Sequence, residues 1–358
     1  MLGLLLVFAL GADPNQAAAL LQSGLVALQN GQLTEARDAL EQASRVEPNN
    51  PYVWSSLAET YLKLKEPEKA SAAANIAEKS VPGNPVLAHG LAMYYSEAGE
   101  FARAANLEQQ YAESDKADAG AMSRAAQLYF KAGNTDAALA AADKAAQRDP
   151  QVAFEFAQLF LHRGDFTPAA DVVQSGLATH PNDTQLVLAL GVARYGQRRF
   201  EDAVVAFLKV IQINPTIEQP YVFLGRMLDQ AGSHLDEITD DYQKWAEREP
   251  QNAKAQLLLA KALLAADADD ARAEGLLRKA IALDTNDWEA HYELGVWLER
   301  KHLYPDAAEE LKRSIELNGT EPMPHYHLAR VYDRLGKPEL AQAQREAHQR
   351  LTNPSVRQ

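Results

Sequence analysis

The sequence predicts an all-α protein in which two-helix units follow one another along the chain. Three observations support this prediction. A proline turn recurs every 31 to 35 residues, a glycine lies midway between many of these turns, and the segments between them carry apolar residues at helical spacing.

The turn that ends each unit carries proline or a residue that takes its place. Proline lacks a backbone N–H and disfavours helix at the preceding residue, so it ends the second helix of a unit. The equivalent positions, which are 34, 34, 34, 31, 34, 35, 35, 34 and 34 residues apart, are Pro48, Pro82, Lys116, Pro150, Pro181, Pro215, Pro250, Thr285, Gly319 and Asn353.

A glycine separates the two helices within several units. Glycine adopts positive φ without strain, so it is expected to cap the first helix and let the chain reverse. These glycines are Gly99, Gly133, Gly164, Gly232 and Gly336. The order is therefore helix, glycine turn, helix, proline turn, over a single solenoid at 17–353. Its ten predicted repeats, before a tail at 354–358, are 17–50, 51–84, 85–118, 119–149, 150–183, 184–217, 218–252, 253–287, 288–321 and 322–353.

The residues between the turns resemble the tetratricopeptide repeat over nearly the whole chain. The second unit shows the signature best, in Trp54, Leu57, Ala58, Tyr61, Ala70, Ala74, Ala77 and Pro82. The resemblance implies a right-handed α-solenoid of antiparallel helix-turn-helix repeats. Small residues are expected to let paired helices approach closely, at Ala58, Gly191 and Gly295. Larger ones are expected to fill the space between neighbouring units, at Leu57, Leu190 and Leu294.

Three places depart from the period. The fourth-to-fifth join is three residues short, so a helix is expected to begin almost directly after Pro150. The seventh unit carries Trp245 where a small residue is expected, so its helices should splay or enclose an irregular gap. The eighth has a longer acidic turn with Asp267 and Asp270, which favours a helix N-cap over a Ca²⁺ loop because the EF-hand ligand spacing is missing.

Composition excludes several classes of protein. The 49 acidic against 35 basic residues give a formal charge of -14, which disfavours nucleic acid and anionic lipid as partners. Cysteine is absent from the sequence, so disulfides, thiolate metal sites and cysteine nucleophiles are excluded. After the first residues, no apolar run reaches the roughly 18 residues needed to span a bilayer.

The apolar run from Leu2 to Leu10, followed by small residues, predicts a signal peptide at 1–12 and an exported, periplasmic or secreted protein. No basic residue precedes the run. The alternatives are a different start or a short apolar cap on the first repeat, with a cytoplasmic location.

Catalytic signatures with a plausible context are absent from the sequence, so we expect no enzyme, no metal and no cofactor. The nearest histidine pair, His325 and His327, lies two residues apart on a predicted helix and does not share a face.

If the chain coils as the resemblance implies, the first helices line a concave groove that binds a protein or peptide partner. Apolar residues on the groove side are the predicted contacts, because soluble proteins seldom expose an apolar stripe without use. Near the C-terminal end the groove becomes more polar. The predicted contact residues are Phe130, Phe154, Leu161, Leu188, Val192, Tyr195, Val222, Tyr292, Tyr326 and Arg330. The alternative is that these side chains belong to the core.

The leading functional hypothesis is a non-catalytic scaffold for protein–protein interaction, in cell-envelope assembly or secretion. One alternative is a regulatory or adaptor subunit of an enzyme on another chain. Another is a cytoplasmic co-chaperone-like adaptor. Its carboxylate clamp is disfavoured, because the matching positions of the first unit are Leu21 and Leu25. The oligomeric state is not predicted.

Overall fold

The computed structural model describes residues 14–118 and 120–353. These residues form twenty α-helices and no β-strand, which confirms the all-α solenoid fold. The predicted signal peptide at 1–12 and the tail at 354–358 lie outside the described residues. The chain also divides into two larger parts, which we call the first and the second unit from here on and which each hold five helix pairs. The first unit ends at Pro181, and the second begins at Asn182.

The first unit contains five helix pairs. Its helices are α1 (Pro14–Gln29), α2 (Leu33–Val46), α3 (Pro51–Lys63), α4 (Pro67–Glu78), α5 (Pro85–Glu97), α6 (Phe101–Ala112), α7 (Ala121–Lys131), α8 (Thr135–Ala146), α9 (Pro150–Arg163) and α10 (Phe166–Thr179). Helix α9 begins at Pro150 itself, as the short join predicted.

The second unit also contains five pairs, with two short 3₁₀ helices at Leu228–Gln230 and Gly232–His234. Its helices are α11 (Thr184–Gly196), α12 (Phe200–Ile213), α13 (Gln219–Gly225), α14 (Leu235–Arg248), α15 (Ala253–Ala266), α16 (Arg272–Leu283), α17 (Trp288–Arg300), α18 (Tyr304–Leu317), α19 (Pro322–Arg334) and α20 (Pro338–Thr352).

Helices pack against their neighbours in chain order within each unit. We call the odd-numbered helices first helices. Several of them also contact the next first helix of the same unit, as α3 contacts α5 and α17 contacts α19. The core lies between the helices and uses many alanines, because small side chains let helix axes approach. Leu57 and Leu294 are buried between helices as predicted, whereas Leu190 is only half-buried and fills that space in part.

The close helix approaches at the two predicted glycines are confirmed. A Cβ atom on Gly191 would lie 2.6 Å from Phe207 Cε1, and a Cβ atom on Gly295 would lie 2.7 Å from Leu311 Cγ. Both distances are too short for a real carbon pair, so an alanine at either position would force the neighbouring side chain or helix to shift.

In most of the pairs, the turn between the two helices contains a residue with a left-handed conformation. All five predicted glycines have positive φ, between 55° and 80°. In three further pairs the same turn is made by Lys65, Arg198 and His302, with φ of 60°, 60° and 62°. Positive φ is uncommon outside glycine, so residue type alone did not reveal these turns.

The seventh pair is the irregular one, as its sequence predicted. Helix α13 is seven residues long and is followed by the two 3₁₀ turns. Trp245 is 1% exposed and stacks on Tyr221 with ring centroids 4.4 Å apart. The buried Tyr242 hydroxyl donates to the Tyr221 carbonyl at 2.7 Å.

In the acidic turn of the eighth pair, carboxylates satisfy local backbone donors. Asp267 accepts from the Asp269 N–H at 3.0 Å, and Asp270 accepts from the Arg272 N–H at 2.8 Å. The predicted N-cap role is therefore wrong in detail: the N-cap position of α16 is Ala271, which makes no side-chain capping bond, and the two carboxylates bind backbone N–H groups of the turn and of the first helical residue instead.

Candidate protein-binding surface

Four apolar side chains of α11 and α13 pack against one buried cluster in the second unit. We call them the α11–α13 apolar surface: Leu188, Val192 and Tyr195 on α11, with Phe223 on α13. All four are half-buried, and so is the predicted contact residue Val222 on α13. The ring centroids of Tyr195 and Phe223 are 5.4 Å apart, and Phe223 stacks on the buried Phe207 at 4.9 Å.

The α11–α13 apolar surface is anchored to the core on one side. Leu188, Val192 and Tyr195 pack against the buried cluster around Phe207 and Tyr221. Their remaining area faces outward. These three side chains are therefore partly packed in the core and partly exposed, which lies between the predicted groove contact and the alternative of a core residue.

In the first unit, the predicted residues Phe130, Phe154 and Leu161 are also half-buried. Phe130 on α7 lies edge-on to the buried Phe160 of α9, with centroids 5.6 Å apart. The Arg163 guanidinium lies 4.0 Å from the Phe130 ring centroid, a cation–π contact that covers part of this ring.

Near the C-terminal end, the predicted residues belong to a more polar group on α17 and α19. Tyr292 is half-buried, and burial raises its pKa to about 12. Tyr326 is 43% exposed. Both rings contact His327, whose Nδ1 lies 2.6 Å from Glu299 Oε2. Arg330 pairs with the other oxygen of Glu299 at 3.2 Å.

A polar cavity of about 410 Å³ opens between α13, α15 and α17, and the sequence analysis did not identify it. Its lining includes the cations Arg226, Lys261 and Arg300, and the carboxylates Asp229 and Glu293. Lys261 pairs with Glu289, and its Nζ lies 4.0 Å from Glu293 Oε1. Arg226 and Lys261 are 35 residues apart, which is one repeat length. This spacing is the feature of the sequence from which their proximity could have been predicted.

Burial raises the pKa of Glu293, an effect that the neighbouring Lys261 opposes. The buried indole of Trp297, which also lines this cavity, has no hydrogen-bond partner for its Nε1–H among the described residues.

A second cavity, of about 450 Å³, lies in the first unit beside a buried carboxylate. Glu108 is 2% exposed and accepts from Arg124 Nε at 2.8 Å, while His89 Nδ1 lies 2.7 Å from its other oxygen. Arg124 also binds both oxygens of Asp118 and holds the pKa of that carboxyl at about 2. Glu108 lies 34 residues after Ala74, in a slot where the repeat expects an apolar side chain, which was a signal in the sequence.

Among residues 14–118 and 120–353, no group of three or more histidine or carboxylate side chains is placed to hold a metal ion. Over the same residues, helices are too short or too polar to cross a bilayer.

Among solved structures, three similar chains illustrate the comparison. A thermophilic tetratricopeptide-repeat protein of Thermus thermophilus is 21% identical, with a TM-score of 0.41 over 48% of this chain and 93% of its own. Yeast Tom70 is 13% identical, with a TM-score of 0.44 over 96% of this chain and 93% of its own. MamA of Desulfovibrio magneticus is 18% identical, with a TM-score of 0.35 over 56% of this chain and 94% of its own. A search of curated proteins gives no significant match.

Two family models, both described as tetratricopeptide repeat, match the sequence. One matches residues 5–58 and 27–94, and the other matches residues 89–153 and 154–216. Together they cover more than half of the 358 residues. The chain therefore belongs to the tetratricopeptide-repeat family, whose fold typically serves as a non-catalytic scaffold for protein–protein interaction.

Proposed function

We propose that this chain is an exported, non-catalytic scaffold that binds a helix or an extended peptide of a protein partner, in cell-envelope assembly or secretion. The observation that carries the proposal is the α11–α13 apolar surface. Its side chains come from two successive first helices and lie close enough for one bound segment to contact them together.

The packing beneath this surface favours binding. Because Leu188, Val192 and Tyr195 are held against the core, little side-chain freedom is lost when a partner covers them. Complete burial of a large apolar side chain contributes roughly 1.5 to 3 kcal/mol, and a half-buried one retains about half of that gain for the partner. An amphipathic helix laid across such a surface would bind through its apolar face.

Affinity purification of the tagged full chain from its own host tests the binding surface. Tyr195→Asp and Phe154→Asp should each reduce recovery of the partner, because each places a charge among apolar contacts. Val205→Asp is the matched control, since Val205 is 50% exposed on the second helix α12. Circular dichroism establishes that each variant is folded. If folded Tyr195→Asp and Phe154→Asp both recover the partner at the level of Val205→Asp, the partner binds another surface.

Export is tested separately. Removal of residues 1–12 should retain the protein in the cytoplasm when the host is fractionated, whereas the full chain should leave it. If both forms occupy the same compartment, the exported part of the proposal is wrong and the scaffold part is unaffected.

A further inference from the structure

We propose that Glu293 is a proton-dependent switch, and that its ionisation weakens the ion pairs that hold α15 to α17 in the second unit. The proposal goes beyond the proposed function and does not depend on it, because it concerns contacts within the chain. It holds whether or not a partner covers the α11–α13 apolar surface. The observation that carries it is the sharing of two lysines of α15 among three carboxylates of α17 and its N-cap.

The two lysines reach the N-terminal half of α17. Lys254 Nζ lies 3.2 Å from Asp287 Oδ2 and 3.6 Å from Glu289 Oε2. Lys261 Nζ pairs with the other oxygen of Glu289 and lies 4.0 Å from Glu293 Oε1, which is too long for a hydrogen bond. With all five groups charged, the carboxylates outnumber the lysines by one. Protonation of Glu293 removes this excess of negative charge.

Glu293 is the carboxylate of this network that ionises least readily. Asp287 accepts hydrogen bonds from two backbone N–H groups as the N-cap of α17, and these bonds favour its charged form. Glu289 pairs with both lysines, whereas Glu293 has the longest ion pair of the network and a side chain that is 20% exposed. Glu293 also follows Glu289 by four residues, so the two carboxylates lie on the same face of α17 and repel each other when both are charged.

The groups around Glu293 act on its proton in both directions. Burial raises the pKa of Glu293, and the charge of Glu289 raises it further, whereas cations on three helices lower it without reversing the effect of burial. These cations are Lys261 on α15, Arg300 on α17 and His327 on α19. The cavity of about 410 Å³ beside Glu293 is also lined by two opposite charges, Arg226 at the end of α13 and Asp229 in the 3₁₀ turn that follows.

Ionisation of Glu293 therefore alters the contacts between α15 and α17. A carboxylate with little access to solvent is costly unless a cation or water approaches it. Lys261 approaches Glu293 at the expense of its pair with Glu289, and the cavity gives water a path to the same carboxyl. Either response loosens the ion pairs between two first helices. The protonated form leaves Lys261 to Glu289 alone.

The direction of the pH dependence follows from the raised pKa of Glu293. A pKa above the ordinary glutamate value of about 4.3 means that the folded chain binds this proton more tightly than the unfolded chain does. The contribution of the proton to stability is complete below about pH 4.3 and is lost as the pH rises through the folded-state pKa.

Carbon-13 NMR of the full chain, labelled at the side-chain carboxyl of glutamate, tests the switch. The Glu293 signal is the one absent from Glu293→Gln, and it should titrate above the ordinary range of glutamate. Glu289→Gln should lower its titration midpoint by about one pH unit, a tenfold change in proton affinity, because Lys261 can then pair with Glu293 and the repulsion is removed. Glu316→Gln is the matched control and should leave the midpoint unchanged, since Glu316 is exposed on α18 and pairs with Arg313.

Hydrogen exchange followed by mass spectrometry measures the effect on the helices. Relative to the intrinsic rate of each amide, α15 and α17 of the parent should exchange faster at pH 8 than at pH 5. Glu293→Gln resembles the protonated form, so it should show equal protection at both pH values, with circular dichroism to establish that it is folded.

Three results would overturn the proposal. The Glu293 signal could titrate in the ordinary range, which would remove the switch. Its midpoint could be unchanged in Glu289→Gln, which would mean that the shared lysine does not control the proton. The parent could show equal protection of α15 and α17 at both pH values, which would mean that ionisation does not loosen the helices.

Discussion

Gly295 lies where α17 packs closely against Leu311 of α18, so its replacement measures how tightly this helix pair is packed. In Gly295→Ala the new Cβ atom would lie 2.7 Å from Leu311 Cγ, 2.9 Å from Leu311 Cδ2 and 3.2 Å from the Leu311 backbone nitrogen. Leu311 is fully buried, and its Cγ atom is close to the backbone. The clash cannot be relieved by turning the end of a flexible side chain, so the helices must separate.

The size of the effect follows from two opposing contributions. Alanine stabilises a helix by up to about 1 kcal/mol relative to glycine. Overpacking a close-packed core costs about 1 to 3 kcal/mol. Gly275 on α16 is the control, because nothing lies within 4 Å of the Cβ atom that an alanine would add there. Gly275→Ala should therefore stabilise the chain, and Gly295→Ala should be about 1 to 3 kcal/mol less stable than Gly275→Ala.

Urea titration followed by circular dichroism in the helix band provides the comparison. The full chain is used for both variants, and their midpoints and slopes are compared directly, because repeat arrays do not always unfold in one step. If Gly295→Ala shows the same midpoint as Gly275→Ala at equal slope, the helix approach at Leu311 is looser than described and the reasoning is refuted.

Three further changes test other parts of the second unit. Trp245→Ala should cost about 3 to 5 kcal/mol in urea unfolding, because it removes a buried ring that stacks on Tyr221. Tyr242→Phe should cost about 0.5 to 1.5 kcal/mol by the same measurement, because it removes the hydrogen bond to the Tyr221 carbonyl. Glu293→Gln should raise the thermal midpoint at neutral pH and less so near pH 4. The raised pKa of Glu293 means that the folded state binds its proton more tightly, so stability falls as pH rises and the carboxyl ionises.

Each of these has a contrary outcome. If Trp245→Ala is as stable as the parent, the helices of the seventh pair close the cavity that the ring leaves, at no cost in the free energy of unfolding. An unchanged unfolding midpoint for Tyr242→Phe would show that the hydroxyl is not needed to satisfy that carbonyl. If Glu293→Gln lowers the thermal midpoint at pH 7, the pairing with Lys261 outweighs the cost of burial.

The sequence by itself determined the helices and most of their turns. A proline or glycine acts on its own backbone and that of its neighbours, and apolar spacing is a local property of one helix. For this reason the start of α9 at Pro150 and the positive φ at Gly164 could be predicted without a structure. The glycines at the helix crossings, Gly191 and Gly295, were also identified, because the same small-residue position recurs in every two-helix repeat.

What only the tertiary structure decided is which side chains meet across helices. Lys65 has a left-handed conformation that its residue type does not favour, so its turn follows from the packing of the helices it joins. Glu108 interrupts an apolar slot, and only contacts with His89 and Arg124 explain how its charge is held. Arg226 was not identified in the sequence analysis. Its place in the cavity depends on the spacing of α13, α15 and α17, which is set by non-local packing that no single helix encodes.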